Sequence, residues 1–271
     1  MNTIIFVLLS LFGIFITIAL PIIACLYSTR KYGGTSRPFV YGILAFLISQ
    51  LLIRIPLMNY LSINSSGYQE FSLNVIPFSL VSGFTAGLFE ETARFIMFGL
   101  LLKEKRRNVD GIIFGFGHGG LEAAYFIGVN LLYTLIALPI YELFGLDFLP
   151  AALISPGLES FLDIIDVMPI GTLFVSIFPA IYERIVVILI HIGLTMIILT
   201  GFQKAKPFRY YLSAIFVHTL VDAPIGFFQI YTSSPVLVSL IYITIIAIAL
   251  TVFVIIHCKK SVKNNYNNST K

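Results

Sequence analysis

Long apolar runs recur along this chain and leave room for little besides membrane-spanning helices. Residues 3–27, 38–61, 76–102, 110–136, 178–202, 208–230 and 234–258 each reach the length that a helix needs to cross a bilayer, about 20 residues. In hydrocarbon every backbone N–H and C=O must be paired within the chain, so such runs become helices. The reading is all-α: a polytopic bundle of about seven transmembrane helices. Residues 1–258 form one integral membrane domain, and residues 259–271 form a polar, basic, unstructured cytoplasmic tail. With 58% hydrophobic and only 11% charged residues among 271, an ordinary soluble domain is excluded. The first run, Ile4–Tyr27, is too long for the apolar part of a signal peptide and lacks a basic segment before it, so it reads as a retained span.

The basic residues set an orientation. Arg30, Lys31, Arg37, Lys103, Lys105, Arg106, Arg107, Lys204, Lys206, Arg209, Lys259, Lys260, Lys263 and Lys271 all fall at one end of the predicted bundle, and the opposite loops contain none. Because lysine and arginine are retained on the cytoplasmic side, this predicts an outside N-terminus, a cytoplasmic C-terminus and an odd number of spans. Basic residues confined to short loops and a tail make no nucleic-acid-binding face. Only Cys25 and Cys258 are present, one inside the first span and one at the end of the last, which fits neither a disulfide framework nor a thiolate zinc site.

Against this apolar background the run Val75–Leu102 carries Glu90, Glu91 and Arg94 near its middle. A charge at the centre of a membrane helix costs about 2.5–3.5 kcal/mol on insertion scales, so these groups should face a polar cavity. On a helix Arg94 lies one turn from both glutamates and can counter either. The glutamates themselves point about 100° apart, so one can face a pocket while the other reaches a neighbouring helix. A structural ion pair is the competing reading for Glu91 and Arg94.

Three other runs carry ionisable residues at matching depth: His118 and Glu122, then Arg184 and His191, then His218 and Asp222. Counted from cytoplasmic edges at 103, 110, 202 and 208, the histidines and carboxylates lie 8 to 14 residues deep, or about 12–21 Å. The midplane is about 15 Å deep. Helices of alternating direction thus deliver polar groups to one layer, and within each helix the spacings of four or seven keep those groups on one face. Four carboxylates, Glu90, Glu91, Glu122 and Asp222, outnumber Arg94 and Arg184 by two. A divalent cation, protonated histidines or a shared carboxyl proton could balance that excess. For a zinc-like ion, His118, His191 and His218 offer ring nitrogens and Glu122 a carboxylate. His257 lies outside the layer, and Arg54 is either a further counter-charge or a residue that extends to the interface.

The sequence Glu90-Glu91-Thr92-Ala93-Arg94, a polar fourth span, His191 and then His218-Thr219-Leu220-Val221-Asp222 resembles the intramembrane proteases related to CAAX prenyl endopeptidases and PrsW. Within that group it is most similar to the YhfC family. It departs from the CAAX pattern in a shorter spacing to Arg94 and in Asp222 where those enzymes have asparagine, and from PrsW in having arginine where PrsW has lysine. The resemblance covers residues 76–230 and implies hydrolysis of peptide bonds in membrane-associated substrates. Glu90 or Glu91 would activate water, and Arg94, His218 and Asp222 would complete the catalytic set. Histidines would bind a divalent metal, zinc foremost, or stabilise the oxyanion, and the setting implied is a bacterial plasma membrane.

A proton- or cation-coupled transporter would also bury carboxylates and histidines near the midplane. The chain, however, shows no internal repeat and no matched Gly/Pro-interrupted spans. A membrane scaffold is a third reading, disfavoured because every group needed for hydrolysis is present. Two other features read as structural. Gly111, Gly115 and Gly119, like Gly83 and Gly87, repeat every four residues and permit close helix packing. In the long Tyr141–Pro179 connection, Glu159, Asp163 and Asp166 share one face of a predicted interfacial helix.

Overall fold

Apolar runs joined by short polar links become a helical bundle, and the computed structural model describes residues 2–145, 148, 165 and 167–269 of it. The helices are α1 (Asn2–Tyr32), α2 (Arg37–Asn64), the short α3 (Ser66–Ser72), α4 (Val75–Leu101), α5 (Asn108–Phe144), α6 (Ile170–Gln203), α7 (Pro207–Tyr231) and α8 (Pro235–Ser269). Six are long and apolar enough to cross a membrane, and α3 with α4, bent by 108° at Leu73–Asn74, makes a seventh. No strand occurs among the described residues. The protein is an all-α, polytopic integral membrane bundle.

The helix ends follow local chemistry. Proline stands in the first turn of α2, α7 and α8, where its missing N–H would have no partner in any case. Gly33 ends α1 in the left-handed region at φ 63°.

Several expected boundaries move, among them the end of α5, which runs on to Phe144 instead of stopping near residue 136. Helix α6 starts at Ile170, not near residue 178, and runs through Pro179. The extra turns are held by packing, because Leu173, Ile177 and Ile181 are buried against Phe6, Ile16, Ala137 and Leu138. At the other end of the chain α8 continues as helix to Ser269, into the segment expected to be an unstructured tail. The acidic positions of the predicted outer helix, Glu159, Asp163 and Asp166, lie outside the described residues.

Helix α6 forms the axis: most of its apolar length is buried, whereas the other five long apolar spans bury less than a third of theirs. Around it α2 packs on α5, α5 on α6 and α4 on α7. Glycine sets two of these separations. A Cβ at Gly42 would lie 2.2 Å from the Phe114 carbonyl oxygen, and one at Gly117 would lie 2.1 Å from the Phe39 carbonyl oxygen, so α2 and α5 touch backbone to backbone. Helix α4 approaches α7 somewhat less closely, with the Cβ position of Gly83 at 2.7 Å from the Ala223 nitrogen and that of Gly87 at 3.1 Å from Cβ of His218. Four spans also widen into π-helical turns, at Phe15–Ala19, Leu47–Arg54, Met97–Leu101 and Ala124–Gly128. The second contains Gln50 and Arg54 and faces α4, in keeping with the frequent use of such turns at functional sites.

Candidate active site

Adjacent glutamates on α4 diverge as helical geometry requires. Glu90 turns toward α2 and α5: its Oε1 accepts from Nε2 of Gln50 at 2.8 Å, and its Oε2 lies 2.8 Å from Nε2 of His118. Glu91 turns toward α7, where its Oε1 meets Nδ1 of His218 at 2.7 Å. Arg94 bridges the two. It contacts Oε1 of Glu91 and lies 3.4 Å from Oε2 of Glu90. All three side chains are buried, Glu91 and Arg94 completely.

The same layer collects groups from α5 and α6. Arg94 Nη2 reaches Nδ1 of His191 at 2.6 Å, and Nε2 of His191 meets Oε2 of Glu122 at 2.5 Å. Glu122 also takes Arg184 Nη1 at 3.3 Å on its other oxygen, and Arg184 is shared with Glu183. The expected same-face pair of Arg184 and His191 is thus joined through one carboxylate. The imidazoles of His118 and His191 lie 4.9 Å apart, with Phe46 edge-on to His118 at 5.4 Å. His218 Nε2 sits 3.9 Å from Oε2 of Glu90 and 3.5 Å from Asp222.

Two cavities meet at this layer, of about 550 Å³ and about 390 Å³. Both are lined by Arg54, Ala86, Glu122 and Asp222, and Glu90 lines the smaller one. The predicted groups therefore converge, with Asp222 at the edge, where its side chain is 39% exposed. His257 is elsewhere, paired with Gln203 at 2.9 Å.

Gln50 and Glu183 belong to the site and did not emerge from the sequence reading. Gln50 had a signal: it stands four residues before Arg54 in an apolar run, one turn away on the same face. Arg54 in turn donates to Oε1 of Gln50 at 3.2 Å, continuing the chain of contacts that begins at Glu90.

A model of the family described as YhfC intramembrane metalloprotease matches residues 16–243, which takes in every residue of this layer. The chain belongs to the YhfC intramembrane metalloprotease family. An uncharacterized membrane protein, YhfC of Bacillus subtilis strain 168, is 27% identical over 216 residues, covering 79% of this chain and 81% of that protein. No solved structure matches the chain.

The family description implies a metal, and a donor set in this YhfC-family chain fits one. Ligand atoms of Glu90, His118, Glu122 and His191 all lie within 4.8 Å of one another, and three of the four residues are buried. Imidazole nitrogen and carboxylate oxygen are the donors that zinc-type ions take. Of the four residues expected as ligands, His118, Glu122 and His191 fall in this set. His218 lies beside it, engaged by Glu91.

Proposed function

We propose that this protein hydrolyses peptide bonds of membrane-associated substrates inside the bilayer, with Glu90 as the general base. The observation that carries the reading is the convergence of Glu90, His118, Glu122 and His191, from three helices, onto one set of ligand atoms within 4.8 Å. His118, Glu122 and His191 would hold a divalent ion of the zinc type. Two histidines and a glutamate are a known ligand set of catalytic zinc, which needs one position open for chemistry. When bound, such an ion supplies Lewis-acid polarisation of a carbonyl and acidifies water.

The chain's own groups do the rest. Glu90 lines the cavity and Glu91 does not, so Glu90 is the carboxylate that meets substrate. It accepts a proton from water as the new C–O bond forms at the scissile carbonyl, and gives that proton to the amine nitrogen as the C–N bond breaks. Gln50 binds Oε1 of Glu90 and fixes which oxygen faces the reaction. His218 is placed to donate a hydrogen bond to the carbonyl oxygen as it gains charge, with Asp222 beside its Nε2. Glu91 and Arg94 are positioning residues: Glu91 holds Nδ1 of His218, and Arg94 counters both carboxylates.

The one-sided distribution of lysine and arginine supports an outside N-terminus and a cytoplasmic C-terminus in a bacterial plasma membrane. The test is cleavage of membrane-embedded model peptides by the full-length protein purified in detergent. Cleavage should require a divalent ion, stop on chelation, return with zinc and be absent from Glu90→Gln. If metal-loaded parent protein cleaves nothing while Glu90 and Glu122 control proton uptake into liposomes, a proton- or cation-coupled transporter replaces this reading.

A further inference from the structure

The larger cavity, bounded by α2, α4, α5, α6, α7 and α8, contains more hydrogen-bonding capacity than the hydrolytic chemistry uses. Arg54 lines both this cavity and the one that reaches Glu90. Its guanidinium is held in place by neutral acceptors alone. Nε donates to Oγ1 of Thr85 at 3.3 Å, Nη1 to Oε1 of Gln50 at 3.2 Å, and Nη2 to the carbonyl and hydroxyl of Ser82 at 2.8 and 3.3 Å. A guanidinium carries five N–H groups, so these four contacts leave at least one on Nη1 unspent.

Among the described residues no carboxylate comes within ion-pair distance of Arg54. The other charges of the cavity have partners: Arg184 with Glu183, Asp222 with His218, and Glu122 with His191 in the proposed ligand set. Arg54 is left as the cation without an anion. Two further polar atoms of this cavity's lining residues have no partner: Nε of Arg184, a residue 8% exposed, and Oγ of Ser239.

A guanidinium inside a span that faces a cavity with a donor left over marks a binding site. A planar fork of donors is the group best shaped to bind a carboxylate. Arg54 lies one turn from Gln50, the residue that holds Glu90. A turn rises about 5.4 Å, and an extended peptide advances about 3.3–3.6 Å per residue. We propose that Arg54 is a specificity residue that binds a carboxylate of the substrate peptide, about two residues from the bond presented to Glu90. The proposal rests on the proteolytic reading for what the bound peptide undergoes, and its binding test is independent of cleavage.

The test uses the full-length protein in detergent and one fluorescein-labelled apolar decapeptide in three forms: free C-terminal acid, C-terminal amide, and amide with a glutamate next to the C-terminus. Binding is read by fluorescence anisotropy, with peptide integrity checked by mass spectrometry. The parent should bind the acid about ten-fold or more tighter than the plain amide. In Arg54→Gln the acid should fall to the affinity of the amide. The glutamate-bearing amide identifies the source, binding like the acid if a side-chain carboxylate serves and like the plain amide if only the chain end does.

Arg54→Lys keeps the cation without the fork, so its preference should lie between the two, and it carries the test if Arg54→Gln does not fold. Equal binding of acid and amide by the parent, no saturable binding of any form, or a parental preference in either Arg54 variant overturns the proposal. A parent that prefers the acid yet cleaves no peptide sinks the proteolytic reading and leaves the carboxylate site standing. Cleavage without preference does the reverse.

Discussion

Arg94 Nη2 lies 2.6 Å from Nδ1 of His191, inside a layer where both side chains are buried. A guanidinium has only donors, so this ring nitrogen accepts. The proton of the neutral imidazole is then on Nε2, where it is donated to Glu122 at 2.5 Å. One contact with α4 therefore fixes the tautomer of a histidine on α6, in the form that donates to Glu122.

Ion binding and the contact to Arg94 should compete for His191. A metal-ligating imidazole donates its second N–H to an acceptor, which Arg94 is not. Uptake of a divalent ion at Nε2 should therefore move the ring proton to Nδ1 and draw Arg94 away from the ring. In Arg94→Gln the ion should bind about ten-fold tighter or more, since a like charge is gone and an amide oxygen can accept from Nδ1. Hydrolysis should still fall. Titration calorimetry of the parent and the variant reads the affinity, and loss of ion binding in this variant would count against the competition.

Glu90→Gln and Glu91→Gln should fail differently. The first keeps the shape of the side chain and removes the base, so cleavage should drop by about 10²–10⁴ while thermal stability in detergent changes little. The second breaks a fully buried contact with Arg94 and His218, which costs about 3–5 kcal/mol for a buried pair. Its melting temperature should fall, and ion binding should survive in the folded fraction. The reverse pattern would exchange the roles of the two carboxylates.

The spans and the polar layer were legible in the sequence because a bilayer penalises every charge and every unpaired backbone group. Glu90, His118, His191 and His218 could hardly be anywhere but in a shared site. Neighbours around that site were harder to read. Whether Glu90 or His218 stands closest to His118 depends on how far α4 and α7 rotate, and that is set by backbone contacts such as Gly87 against Ile215 and His218, far apart in the chain. Gln50 carries no charge, so no insertion penalty drew attention to it. Pro179 looked like a boundary, and only the packing of Leu173 and Ile177 against α1 and α5 makes α6 continue through it.

The topology can be checked with single cysteines after Cys25→Ser and Cys258→Ser. Asn108, at the start of α5, should be shielded from an impermeant thiol reagent in intact cells, and Asn74, at the bend before α4, should be labelled. The opposite pattern would invert the bundle and place the Arg54 cavity toward the other side of the membrane.

The backbone contact of α2 with α5 should tolerate no side chain. With the Cβ position of Gly117 at 2.1 Å from a main-chain oxygen, even Gly117→Ala must push the helices apart, beyond the usual cost of about 1–3 kcal/mol for overpacking. Since α2 carries Gln50 and α5 carries His118, the shift would also separate the two partners of Glu90. Gly67→Ala meets no neighbour and should be silent. Melting curves in detergent would distinguish the two.

The proposed ligand set can be separated from the rest of the layer. His118 Nε2 and His191 Nε2 face carboxylate oxygens of Glu90 and Glu122, within the 4.8 Å cluster. His218 is turned by Glu91 toward the cavity edge and Asp222. His118→Ala, His191→Ala and Glu122→Gln should each lose bound ion, by about ten-fold in affinity or more, because a tetrahedral site with three protein ligands has none to spare. His218→Ala should keep the ion and lose turnover, by about the 10²–10³ that removal of an oxyanion donor costs. Ion content by elemental analysis after gel filtration, set beside cleavage rates of the same preparations, reads the two effects apart. If His218→Ala empties the site while His118→Ala leaves it filled, the ion is held on the α7 side of Glu90, and Glu91, not Glu90, becomes the carboxylate free to act on water.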